Sequence, residues 1–460
     1  MKVLLVNPPH SFSTANPLAG AGLSLPPLGL LSVAAYLRRE LPGVKLKVLD
    51  WPGARLNPEA FAREVSAFGP DLAGVSVHTG TFSASVAAAA AIKKISPACF
   101  TAAGGHHASA RPAQCLKYFD AAVIGEGEKT FSELARRLAA GAPPGGLPGL
   151  LTKPGDPPTR PEPLDIDSLP FPARDLLDLS VYRPAIFAYR RQPVTSMVTS
   201  RGCPYACGFC SKSVFGPTCR AQSPGRVLAE MKELAENYGI KEISFQDDTF
   251  TADRERVLRL CALIKENRLD LTWACMTRVD LVDPGLLSAM AGAGCFSIAF
   301  GIDGASDGSC GLMGKGFDTA RARAAVSSAR AAGIETRGYY MFGYPGETFA
   351  SLRASFEKIK EIDTDHVFFA FAHPFFDTPL YREAKEKGLL DATDEELLDA
   401  HDNSVPLIKV PGASREDLVK FYKRAYLRYY LRPASLARRL ASPRALADTF
   451  RAALYFVRWY

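Results

Sequence analysis

Thr199-Ser-Arg-Gly-Cys-Pro-Tyr-Ala-Cys-Gly-Phe-Cys-Ser211 places three cysteines, Cys203, Cys207 and Cys210, within eight residues. The run before it, residues 194–199 (Val-Thr-Ser-Met-Val-Thr), reads as a buried strand, so the thiols follow a strand's C-terminal end. In β/α barrels that end carries the chemistry. A closed structural zinc site takes four ligands, which would recruit Cys219 as the fourth. Three thiolates on an iron–sulfur cube instead leave one iron open to a substrate group.

Downstream, strand-like runs at 242–245, 271–276, 296–302, 336–342 and 366–371 alternate with helical stretches near 225–238, 254–266, 284–293, 317–332 and 349–361. With the strand before the cysteines this makes six β/α units, a partial TIM-type barrel over 191–395, open on one side. Upstream, runs at 3–6, 46–49, 73–77, 100–103 and 121–124 alternate with helices at 28–41, 60–68, 83–94 and 129–140. That pattern predicts a doubly wound, Rossmann-like parallel sheet over 1–142. Ligands of such sheets lie beyond the carboxyl ends of the strands. Here those ends are Ser76-Val-His-Thr79-Gly80, Gly104-Gly105-His106-His107 and Gly125-Glu126-Gly127, rich in small residues that let a bulky ligand approach the backbone. The Pro/Gly-dense stretch 143–190 reads as a linker.

The C-x3-C-x2-C spacing, with Phe209 before the last cysteine, resembles the cluster motif of radical S-adenosylmethionine (SAM) enzymes. Residues 71–77, 103–109 and 123–130 are similar, in order and spacing, to the cobalamin-binding domain that precedes many such catalytic domains. The resemblance covers nearly all of residues 1–390 and implies three cofactors: a 4Fe-4S cluster on Cys203, Cys207 and Cys210, SAM, and cobalamin. It places Asp248 or Asp247 on the amino group of SAM and Arg278 on its carboxylate. Asp303, in a Gly-Ile-Asp-Gly that departs from the more usual Gly-Ile-Glu-Ser, falls at the ribose. Gly343 and Gly346 fall beside the adenine, and Ser76, Thr79, Gly104, Gly105, His106, Gly125, Glu126 and Gly127 beside cobalamin. The Asp-x-His-x-x-Gly pattern that supplies a histidine to cobalt in some relatives is missing around His10, which makes His10 a poor ligand.

The implied reaction is methylation of an unactivated carbon through a 5′-deoxyadenosyl radical and methylcobalamin. A cobalamin-dependent cyclase or rearrangement enzyme is the alternative, and a non-catalytic cobalamin-binding sensor is the reading from another class. The substrate would be a small or lipid-like molecule, and the electron donor a protein such as flavodoxin or ferredoxin.

Composition sets the remaining bounds. The chain has 460 residues, 47% hydrophobic and 22% charged, and no run of eighteen apolar residues, so a membrane-spanning helix and a signal peptide are not expected. Most of its ten cysteines stand singly in apolar stretches, as in Cys99, Cys261, Cys275 and Cys295, which fits buried thiols in the cytoplasm. The net charge of +7 is concentrated in residues 412–460, where eleven Lys and Arg face three Asp and Glu. Tail helices from Ser414 and Ser442 therefore read as caps on the barrel within a helical region 396–460, or as a basic, Tyr-rich peripheral contact with an anionic membrane. No nucleic-acid recognition motif accompanies the charge.

Overall fold

The computed structural model describes residues 1–9, 25–182, 189–398, 400 and 404–440. His10 and the expected second tail helix from Ser442 lie outside them.

The N-terminal sheet contains β1 (Lys2–Asn7), β2 (Lys45–Asp50), β3 (Leu72–Ser76), β4 (Phe100–Gly104), β5 (Ala121–Val123) and β6 (Leu150–Leu151), in the order β2-β1-β3-β4-β5-β6. All pairings are parallel except β5 with β6. Residues alternate across the pleat. On β1, Val3 and Leu5 enter one core while Leu4 and Val6 enter the core on the opposite face. Burial on both faces explains the continuous apolar run of this strand. The chain reverses its winding between β1 and β3, and such a switch point opens a crevice at the strand ends. The antiparallel β6 lies within the expected linker and carries the first domain past residue 142.

Residues 164–182 of the linker pack against both domains. Ala173 N donates to Leu31 O (3.1 Å), and the Tyr182 hydroxyl donates to the buried Asp50 carboxylate (2.6 Å). Arg174, 1% exposed, pairs at 2.8 Å with Glu230 of helix Pro224–Asn237, itself 2% exposed.

The second sheet holds β7 (Val194–Met197), β10 (Glu242–Phe245), β11 (Thr272–Thr277), β12 (Cys295–Asp303), β13 (Glu335–Phe342) and β14 (His366–Phe371), all parallel, in the order β14-β13-β12-β11-β10-β7. A two-stranded ribbon, β8 (Ser200–Arg201) with β9 (Arg220–Ala221), stands apart from it. Crossover helices start where the sequence provides caps: Ser223, Asp253, Asp283, Asp318 and Thr348 each accept a backbone N–H from the first helical turn. The sheet does not close, since β7 and β14 are both edges.

The helix Arg415–Tyr430 covers the β14 edge. Tyr422, Tyr426 and Tyr430 recur every four residues and so share one helix face. The Tyr422 hydroxyl donates to Phe369 O (2.9 Å), Phe369 N donates to Tyr426 (2.9 Å), and Val367 N donates to Tyr430 (3.2 Å). Three phenols thus occupy positions that another strand would fill. Much of the basic charge here is also used internally: Arg428 meets Glu357, and Arg432 and Arg438 converge on Asp363. Of the two expectations for the tail, this helix meets the cap on the barrel, with its tyrosines facing the sheet. Among the described residues no helix is long and apolar enough to cross a membrane.

Tyr426→Phe leaves the Phe369 N–H unpaired and is expected to lower stability by about 1–3 kcal/mol, read as the shift in a urea unfolding transition. Glu230→Ala strands the Arg174 guanidinium in the interior and is expected to cost about 3–5 kcal/mol in the same measurement.

Candidate functional site

The cysteine loop leaves β7 and returns before helix Pro224–Asn237. Its neck is held by backbone pairing of Gln222 N with Thr199 O (2.8 Å) and by two side chains from neighbouring β/α units. Asp247, fully buried at the end of β10, accepts from Thr199 N (2.6 Å), Thr199 Oγ1 (2.5 Å) and Ser200 Oγ (2.8 Å). Arg256 donates to Thr199 O (3.1 Å), Thr199 Oγ1 (2.8 Å) and Gln222 O (2.6 Å).

Inside the loop, Gly208 is tied by Gly208 N to Met313 O (3.2 Å) and by Leu380 N to Gly208 O (2.9 Å). The Tyr344 hydroxyl occupies the space that a β-carbon at Gly208 would need. Gly202 is fixed for a backbone reason, with φ +85° and Thr218 O where a β-carbon would project. Phe209 packs into a small apolar cluster with Met313, Tyr344 and Ala372.

The thiols sit against positive charge. The neighbouring Cys210 thiol, with Lys315 and Arg278 nearby, raises the acidity of Cys207 despite burial, its pKa falling to about 6. Cys207 in turn pushes Cys210 the other way. Cys203 Sγ lies 3.5 Å from Thr249 Oγ1. Thiolates are the form that binds metal, and this donor set suits a thiolate-ligated cluster. Among the described residues no three His, Cys, Asp or Glu side chains converge on a single ion.

Several expected SAM contacts lie elsewhere than the sequence suggests. Asp247 belongs to the neck and does not reach the mouth, whereas Asp248 is exposed there. The Arg278 fork is taken by Asp280 (2.9 Å through both Nε and Nη2), and its guanidinium stacks 3.8 Å over Tyr205 with Nη1 3.9 Å from Cys207. Asp303, in the left-handed region at φ +57°, pairs at 2.6 Å with the nearly buried Lys315. Gly343 and Gly346 have φ of +78° and +95°, and their β-carbon sides are filled by Val410 and Leu312. A tight turn alone accounts for both glycines. Lys315, Thr249 and Arg256 carry no local motif; only their proximity to the loop reveals them.

Across the domain boundary, a cleft of about 1440 Å³, open to solvent, lies at the β1/β3 switch point. Ser76, Gly104, Gly105, His106, Gly125, Glu126 and Gly127 line it, as the sequence suggested. Among the described residues, nothing lies within 4 Å of where a β-carbon of Gly29 would sit, and the only neighbour at Gly104 is Val123 at 4.0 Å, so the cleft is open over both. A large flat ligand fits such a cradle. Thr79 is the exception: it turns away, its Oγ1 3.2 Å from Nδ1 of the buried His107. Glu126 lines the cleft but is engaged by Arg201 and Arg220.

Residues 17–135 match the B12 binding domain and residues 197–359 the Radical SAM superfamily. The chain is 33% identical over 444 residues to an uncharacterized methyltransferase of Pyrococcus horikoshii, covering 95% of this chain and 94% of the relative. It is 28% identical over 446 residues to cytidylyl-2-hydroxyethylphosphonate methyltransferase of Streptomyces wedmorensis, covering 84% and 82%. The fold is shared with the radical SAM methyltransferase TsrM of Kitasatospora setae, solved with cobalamin and a 4Fe-4S cluster (TM-score 0.66, 23% identity, 85% of this chain and 79% of that one). The open barrel and the switch-point cleft thus define a radical SAM protein with a B12-binding domain. The chain belongs to the cobalamin-dependent radical SAM enzymes, whose cofactors are a 4Fe-4S cluster, SAM and cobalamin.

Gly208→Ala forces the loop away from Tyr344 and is expected to reduce the iron retained after anaerobic reconstitution to less than half, with the far-ultraviolet circular dichroism unchanged. Removing the obstructing hydroxyl in the Gly208→Ala/Tyr344→Phe double variant is expected to restore part of the iron.

Proposed function

We propose that this enzyme is a C-methyltransferase acting on a small molecule, with its cluster on Cys203, Cys207 and Cys210 and its cobalamin in the cleft at the β1/β3 switch point. One observation carries the reading: the three thiols follow the C-terminal end of β7 in an unclosed six-stranded barrel and lie across a domain boundary from that cleft. Two relatives at 33% and 28% identity over most of the chain are named as methyltransferases, whereas cyclases that match most of it are 23–24% identical, which favours methylation over cyclisation.

When bound, the cluster and SAM supply radical hydrogen abstraction and cobalamin supplies the methyl group; the protein holds and shields them. Arg278 and Lys315 flank Cys207 with positive charge, offsetting the negative charge of three cluster thiolates. Asp248, exposed at the mouth one residue after the buried Asp247, is placed to meet the cationic amino group of SAM by a charge-assisted hydrogen bond. Asp303, oriented by Lys315, is the acceptor proposed for the ribose. Among the described residues no strand pairs beyond β7, which leaves the barrel open for the substrate. Reducing equivalents would come from a flavodoxin or ferredoxin type donor.

The test is anaerobic incubation of the reconstituted enzyme with methyl-labelled SAM and host extract. The expected product carries the label and is heavier by one CH2, and Cys207→Ala lowers SAM cleavage to background. Turnover without label in the product would assign cyclisation or rearrangement instead, and unchanged SAM cleavage in Cys207→Ala would overturn the cluster assignment.

A further inference from the structure

The stretch that carries the cluster cysteines also builds one wall of the cobalamin cleft. Arg201, two residues before Cys203, and Val214 and Phe215, four and five residues after Cys210, all line that cleft. Both limbs of one loop therefore face the second cofactor site.

The contact between loop and cleft is electrostatic and largely dry. Arg201 pairs through one nitrogen with Glu126 and through the other with Glu128 (both 2.5 Å), and Arg220 on the returning strand β9 pairs with the other oxygen of Glu126. The exposures are 12% for Arg201, 23% for Arg220, 9% for Glu126 and 5% for Glu128. Two cations and two carboxylates balance. Glu126 immediately precedes helix Gly127–Ala139 on the cleft rim, so the network joins that rim to the base of the cysteine loop. The wall has two further supports. Arg160 of the linker donates to Val214 O (3.1 Å) and Ser213 O (2.5 Å), and Ser213 Oγ lies 3.4 Å from His106 Nδ1.

We propose that Arg201, Arg220, Glu126 and Glu128 are positioning residues that couple the two cofactor sites, so that a loaded cluster tightens cobalamin binding and cobalamin reciprocally protects the cluster. This rests on the cofactor placement under Proposed function. The physical reason is the shared wall. A cluster that fixes Cys203, Cys207 and Cys210 also fixes Arg201 and residues 213–215, and removes the ordering cost that cobalamin would otherwise meet on binding. Any such coupling is reciprocal by linkage. A buried charge network transmits the constraint strongly, because displacing one member leaves its partners unpaired in the interior.

The experiment titrates anaerobic full-length protein with hydroxocobalamin, by absorbance, with and without a reconstituted cluster. Cluster-loaded wild type is expected to bind at least about five-fold more tightly than the cluster-free protein. In Arg201→Gln and in Glu128→Gln both cofactors still load and the ratio falls toward one; in Arg201→Lys, which keeps the charge, part of the ratio returns. A reciprocal measurement needs no variant: at a fixed chelator concentration, wild type with hydroxocobalamin is expected to retain more iron than wild type without it. Equal affinities with and without the cluster, equal iron retention, or an unchanged ratio in both Gln variants would overturn the coupling while leaving the cofactor assignment standing. Wild type that takes up neither cofactor would overturn the assignment, and the coupling with it.

Discussion

A fully buried carboxylate holds the catalytic half together. Asp247 has no exposed surface and places both oxygens on Thr199 and Ser200, while Arg256 clamps Thr199 and Gln222 from the next helix. A loop of more than twenty residues with three reactive thiols has little apolar surface with which to fix itself, and ordering it costs conformational entropy. The neck confines that cost by fixing both ends of the loop to the barrel. Buried charges are tolerated here because each is hydrogen-bonded. Everything the loop does, at the barrel mouth or at the neighbouring cleft, starts from that fixed base.

The same rule governs the boundary between the domains. Paired polar groups run along it: Arg174 with Glu230, Arg201 and Arg220 with Glu126 and Glu128, and Tyr182 with Asp50. Paired polar groups specify one alignment, because a sliding contact would leave them unsatisfied. An enzyme whose two cofactors must meet across such a boundary needs alignment more than adhesion. The Pro/Gly-rich composition of residues 143–190 suggests a tether, yet the structure uses much of that segment as packing and as strand β6.

An unclosed barrel gains a wide mouth and exposes sheet edges. At β14 the helix Arg415–Tyr430 covers the edge through tyrosine hydroxyls, whose reach suits a helix lying beside a strand. Aromatic rings fill the apolar space while the phenol oxygens meet backbone groups. A basic, tyrosine-rich helix read by composition alone suggests a surface for an anionic partner; here its tyrosines and Arg428 are spent within the molecule.

The sequence by itself determined the cysteine motif, the six β/α units, the doubly wound sheet and the Gly-rich strand ends, because each is a local pattern: cysteine spacing, alternation of apolar runs, glycine where the backbone must lie bare. It also picked out seven of the residues lining the cleft, those at the strand ends, for the same reason, but not Arg201, Val214 or Phe215 from the cysteine loop. Tertiary structure alone decided which charged side chains face the chemistry. Asp247 and Asp248 are adjacent in the chain and differ only in which way the strand end turns them, and the Arg278 fork pairs with Asp280, two residues on. Lys315 came to the thiols from a distant segment. A charged residue's role depends on what neutralises it, and that neighbour is set by packing between segments far apart in the chain.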